Sequence, residues 1–229
     1  MGFYPYPVNF GFPYHPLTRG TIYAPSAYPS PYPIPVSDLK PMQNSCVCIS
    51  KSEDKLSKTF RTLWEQHVAW TRMVIISIAA NLPDENLTTK RLLRNPGDMA
   101  KVLEPFYGTE ISKEFEKLFT DHLVIAAELV KAAKAGNSRG AADAEHRWYV
   151  NADEISAFLN SINPYWQEET LRAMLHEHLA LTKNEAVYRL AKDFASDIST
   201  FDKIEQQALE MADAFTQGIV RQLPQYFQC

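Results

Sequence analysis

Leu63-Trp64-Glu65-Gln66-His67-Val68 is the stretch on which the reading of this chain turns. It returns as Leu118-Phe119-Thr120-Asp121-His122-Leu123 and again as Met174-Leu175-His176-Glu177-His178-Leu179. Each copy reads apolar, bulky, variable, polar, histidine, aliphatic. Each sits in the middle of a long pattern of helical period. Around the first copy Leu56, Phe60, Leu63, His67, Trp70, Val74, Ser77 and Asn81 step by four and three, the seam of a bundle helix.

The pattern repeats outward. Leu82-Pro83-Asp84 stops the first helix, and short helices are expected over about 85–94 and 97–106, ended by Asn95-Pro96 and Gly108. Thr109 offers a cap for the next long helix, whose seam runs Ile111, Phe115, Leu118, His122, Ile125, Leu129 and ends at Gly136-Asn137-Ser138. Three more are expected over about 140–162, 166–194 and 198–223. No alternating run bounded by a hairpin turn occurs, so no strand is expected. Long helices with short connections predict an all-α, up-and-down helical bundle over residues 51–229.

Residues 1–50 are of another composition. They hold ten of the fifteen prolines and six of the eleven tyrosines, and Arg19 is the one charged residue before Asp38. Proline removes backbone donors and disfavours helix, so an extended or disordered Tyr/Pro-rich tail is expected, suited to docking on protein partners or to self-assembly. The net charge of −4 announces no basic face and argues against a nucleic-acid partner. The longest apolar run, Met73 to Leu82, is far short of a membrane span, and the N-terminus lacks the pattern of a secretory signal. Three cysteines, Cys46, Cys48 and Cys229, read as free thiols in a reducing compartment, with a thiol handle for cross-linking or metal capture as the sharper alternative.

Helix depth shows why the repeated histidines matter. His67 lies fourteen residues before Asn81, about 21 Å below the end of its helix. If the two short helices cross the top of the bundle, a descending helix from Thr109 brings His122 to nearly the same level. The same count puts Asn151 and His178 there, with Glu210 and Asp213 near the level on the last helix and Glu205 on its seam. A layer of imidazoles and amides in an apolar core has two economical solutions. It closes on itself as a hydrogen-bonded network. Or His67, His122 and His178, with Asn151 and a carboxylate from Glu205, Glu210 or Asp213, coordinate a transition metal, with iron, manganese or zinc suited to such a donor set.

Trp64-x-x-His67-x-x-Trp70, running into an apolar stretch and Leu82-Pro83-Asp84-Glu85, resembles the first helix of ferritin-like helical proteins. The helix of Thr120-Asp121-His122-Leu123, with Glu128 beyond it, continues the likeness. Residues 63 to about 223 are similar to an uncharacterised family from spore-forming bacteria, some of whose members carry a label of acetylglutamate kinase. The ferritin-like resemblance implies a bundle holding iron or a related metal. The chain departs from it by having no Glu-x-x-His, only Asp143-Ala144-Glu145-His146, which speaks against a two-iron oxidase centre. The kinase label finds no glycine-rich phosphate loop to support it.

The leading expectation is therefore a cytoplasmic or spore-associated bundle whose central layer binds a metal for storage, sensing or structural stabilisation, with no catalytic residue assigned. The alternative is a metal-free structural or interaction protein of a spore or coat-type assembly, attached through its tail. A redox enzyme using the metal is a third reading. The four tryptophans, Trp64, Trp70, Trp148 and Trp166, read first as core anchors and second as walls of a ligand pocket beside the layer.

Overall fold

The computed structural model describes residues 48–229. Expectations for residues 1–47 of the tail, Cys46 among them, fall on residues outside these. Seven helices follow one another: α1 (Lys51–Ala80), α2 (Glu85–Leu92), α3 (Asn95–Tyr107), α4 (Thr109–Lys134), α5 (Ser138–Ile162), α6 (Glu168–Leu190) and α7 (Phe194–Gln222), then a single 3-10 turn at Pro224–Tyr226. There is no strand among the described residues.

The start of α1 shows where the bundle begins. Ser50 accepts a hydrogen bond from the Glu53 amide and is itself buried, and Glu53 and Asp54 stand at the positive end of the helix. Cys48 forms a disulfide with Cys229, with Cα atoms 6.3 Å apart and a sequence separation of 181. The expected free thiols at these two positions are thus corrected: the segment leading into α1 and the C-terminus meet at one end of the bundle, where Ser52 also donates to the Tyr226 carbonyl.

Three of the long helices end in the same way at the same distance from their histidine. Asn81, Gly136 and Lys192 take the left-handed conformation, with φ of 53°, 69° and 63°. In each case the next residue's amide bonds a carbonyl one turn back: Leu82 to Ser77, Asn137 to Ala132, Asp193 to Tyr188. Each of these stops lies fourteen residues after its histidine, so the three imidazoles hang at one depth, about 21 Å below the helix ends.

The direction of α4 differs from the sequence expectation. The short helices do not cross the top. Asn95, at the start of α3, already bonds His67 halfway down α1, and α3 runs on to the lower end, where Tyr107 meets Gln222 and Asn163. So α4 rises alongside α1, and Lys134 at its end reaches the Ile78 carbonyl and the Asn81 side chain at the upper end of α1. The depth argument survives this because α1 and α4 both rise and each histidine stands the same distance before the left-handed stop at the top of its helix. Pro96 does not break a helix either; it occupies the first turn of α3, where its missing N–H costs nothing.

The result is three hairpins: α1 with α3, α4 with α5, α6 with α7. The rising members α1, α4 and α6 each touch the other two, and each packs against its descending partner. The main core, centred on Phe60, Trp64, Phe115, Phe119, Ile155, Leu159, Leu179 and Phe215, fills the lower half and middle. A smaller apolar cluster, Val74, Ile75, Ile78, Leu92, Leu123, Val130 and Ala186, fills the upper end.

Candidate functional site

His67, His122 and His178 are each 3% exposed. Each ring uses Nδ1 on a side-chain amide of the descending helix of its own hairpin: His67 on Asn95 Oδ1 at 3.1 Å, His122 on Asn151 Oδ1 at 2.9 Å, His178 on Gln207 Oε1 at 3.0 Å. Each amide nitrogen then donates to a backbone carbonyl one turn before the histidine it serves. Asn95 reaches Leu63 O at 2.9 Å, Asn151 reaches Leu118 O at 3.1 Å, and Gln207 reaches Met174 O at 2.7 Å. Because the amide N–H faces a carbonyl, its oxygen faces the ring. Nδ1 therefore carries the proton in all three imidazoles, and Nε2 holds a lone pair.

The rings form an aromatic set. His67 and His178 have centroids 5.7 Å apart, and Trp64 lies 5.3 Å from the first and 6.4 Å from the second. His122 lies 5.4 Å from Trp148. Burial away from water disfavours the imidazolium and pushes His67 down to about 4. It pushes His122 and His178 to about 3, and the neighbouring imidazoles push further in the same direction. The layer is neutral at any physiological pH.

Of the residues expected at this level, His67, His122, His178 and Asn151 are brought together. Glu205, Glu210 and Asp213 are not, and this corrects their assignment to the layer. Glu205 and Glu210 are exposed, the latter accepting from Gln206, and Asp213 holds Arg61 in a half-exposed ion pair. Counting residues along a helix gives height but not which way a side chain faces. The position on α7 that faces inward is Gln207. His176 bonds Asp153 on a half-buried face and His146 is exposed, both away from the layer.

Sequence reading missed Asn95 and Gln207, although a signal for them existed. An amide stands 28 or 29 residues after each histidine. Fully buried apolar side chains follow it four and eight positions on: Met99 and Leu103, Ile155 and Leu159, Met211 and Phe215. It also missed a buried charge cluster at the upper end. Arg72 of α1 bonds Glu185 of α6 at 2.5 Å and Asp197 of α7 at 2.8 Å, and Arg189 closes on Asp197 at 2.9 Å. Phe201 lies under the Arg72 guanidinium, 4.7 Å from its ring centre. Burial pushes the Glu185 carboxyl up to about 7 against the pull of Arg72.

These positions decide how well the layer suits a carboxylate-bridged metal pair of the ferritin-like kind. Such a centre draws acidic oxygens into the core. Here the deeply buried carboxylates Glu185 and Asp197 are neutralised by two arginines, and the histidines pair with amides. The residues do not fit that centre. Among the described residues, no three His, Cys, Asp or Glu side chains are grouped so as to hold a metal ion. No helix among them is long and apolar enough to cross a membrane. Comparison of the chain with protein-family models, with curated proteins and with solved structures finds no match.

Proposed function

We propose that this chain is a non-catalytic structural or interaction module, a bundle of three hairpins held in register by a metal-free histidine layer and attached to a protein assembly by its Tyr/Pro-rich segment, residues 1–50. The observation that carries the reading is the closed relay from imidazole to amide to backbone carbonyl, made three times over. A slip of one descending helix by a turn breaks both bonds of its relay together. It leaves buried donors and acceptors unpaired, at about 1–3 kcal/mol each. An apolar core of the same volume has no such penalty, so the relays select one arrangement of hairpins over near alternatives. The Cys48–Cys229 bond is in keeping with an oxidising setting such as the exterior of a coat.

A second reading keeps the metal. All three rings present Nε2 as a lone pair, and an Nδ1–H donated to an amide or carbonyl oxygen is the outer support that metal-bound histidines commonly have. Elemental analysis of the purified full chain separates the two. Iron, manganese and zinc at trace level, before and after incubation with each ion, are expected. One equivalent of any of them, lost in the His122→Ala variant, would replace the first reading with the second.

A further inference from the structure

At the lower end of the bundle α7 is fastened before the chain leaves it. Gln222, its last residue, donates to the Ile162 carbonyl at 2.9 Å and accepts from the Tyr107 hydroxyl at 2.8 Å. The backbone then turns at Leu223, with φ −126° and ψ 53°, and Pro224, having no N–H to donate, cannot extend the helix. Residues 224–229 lie against α3 as a strap. Phe227 is its one buried side chain, 8% exposed and stacked on Phe106 with ring centres 6.0 Å apart. Tyr226 is exposed and meets the same ring edge-on. From outside the strap, the exposed Ser52 hydroxyl donates to the Tyr226 carbonyl at 2.8 Å. The remaining hold is covalent, from Cys229 to Cys48. Both cysteines are exposed. A thiolate therefore reaches a sulfur with the bundle closed, and exposed disulfides are the readily exchanged ones.

We propose that the Cys48–Cys229 bond is a redox latch on this strap, opened by a dithiol reductant. One thiolate of the dithiol attacks a sulfur of the pair and expels the other cysteine as a thiolate. The second thiol, deprotonated, attacks the mixed disulfide, closes as the oxidised dithiol and frees the second cysteine. Two electrons pass to the chain, and two protons complete its thiols. The Phe106 contacts and one exposed hydrogen bond then stand alone against the conformational freedom of six residues. The strap swings out about Leu223–Pro224 and uncovers Phe106 and Phe227. Gln222 keeps α7 pinned to Ile162 and Tyr107, and the three histidine relays are untouched. The closed form thus hides an aromatic face that the reduced form displays. None of this depends on whether the histidine layer holds a metal.

The test equilibrates the full chain with mixtures of reduced and oxidised dithiothreitol, at a temperature below the melting transition of either form. Alkylation of Cys48 and Cys229 is followed by peptide mass, and strap opening by brief chymotrypsin treatment, quenched and then fully reduced. Cleavage after Tyr226 or Phe227 is expected to run about tenfold faster in the reduced chain, because it tracks the open population. It should rise in step with alkylation, while sites inside the helices stay protected and circular dichroism is unchanged. Cys229→Ser should cleave at the reduced rate without reductant and ignore its addition. Equal cleavage of oxidised and reduced chains would make the bond a static staple and overturn the proposal. So would a bond that dithiothreitol breaks only as the bundle unfolds, or reduction that exposes the helices together with the strap.

Discussion

His122 and Asn151 show what one relay contributes. Replacing His122 by Leu leaves the Asn151 oxygen buried and unpaired, and replacing Asn151 by Leu leaves the His122 Nδ1–H so. Each single change is expected to cost about 2–4 kcal/mol in urea unfolding. The double variant should cost at least 1 kcal/mol less than the sum, because neither partner is then orphaned. Additive effects would show that the relay is incidental to stability. The same residues govern pH dependence. In the folded state the three imidazoles titrate at about 3 to 4, against 6.5 when exposed. The unfolded chain binds their protons first, so the stability they confer is complete above pH 6.5 and is lost as pH falls towards 4. Each histidine takes away about 2 kcal/mol by pH 5. Glu185 works in the opposite sense, since its carboxyl titrates at about 7 folded and 4.5 unfolded and so favours folding as pH falls. Unfolding curves from pH 7 to 5 should show a net loss on the order of 4 kcal/mol. A flat profile over that range would mean the imidazoles are solvated.

At the scale of elements, α7 is set by close approach to the segment before α6. Gly218 faces the Trp166 indole, and a Cβ there would run into the ring. Trp166 is 2% exposed and donates Nε1–H to the Ala214 carbonyl at 3.1 Å, one turn earlier on α7. Gly218→Ala would favour the helix by about 1 kcal/mol through propensity alone. Here it must push Trp166 out of its seat, and a net destabilisation of about 1–3 kcal/mol is expected in thermal or urea unfolding. A stabilised variant would show that the indole moves freely. At the other end of the bundle, Arg72 joins α1 to α6 and α7. Arg72→Met leaves Glu185 unpaired and Asp197 with Arg189 alone, a loss of about 3–5 kcal/mol.

For the whole molecule, the Cys48–Cys229 bond closes a loop of 181 residues around the entire bundle. By chain entropy such a bond destabilises the unfolded state by about 5 kcal/mol. Cys229→Ser, or reduction of the wild-type chain, is expected to lower the melting temperature by about 10–20 °C while helix content by circular dichroism below the transition stays constant. An unchanged melting temperature would mean Cys48 and Cys229 are not joined in solution. Ser50 and Cys48 act with the bundle, through the cap of α1 and the disulfide to Cys229. Deletion of the tail for localisation experiments must keep them.

The amino-acid sequence by itself determined the elements. The step of four and three in Leu56, Phe60, Leu63 and His67, the stops at Asn81 and Gly136, and the thrice-repeated histidine phrase are local patterns, and local patterns need no tertiary knowledge to read. The common height of the histidines is legible for the same reason, because it is a count along each helix from its end. Tertiary structure alone decided direction, facing and pairing. Whether α2 and α3 cross the top or return depends on Asn95 finding His67, a contact between distant turns. Whether α7 offers the layer Gln207 or the nearby carboxylates depends on a rotation about the helix axis of less than half a turn. That rotation is set by Met211, Phe215 and Ile219 seeking the core. Helix periodicity carries heights across an unknown fold, but it carries no azimuth, and a binding site is made of both.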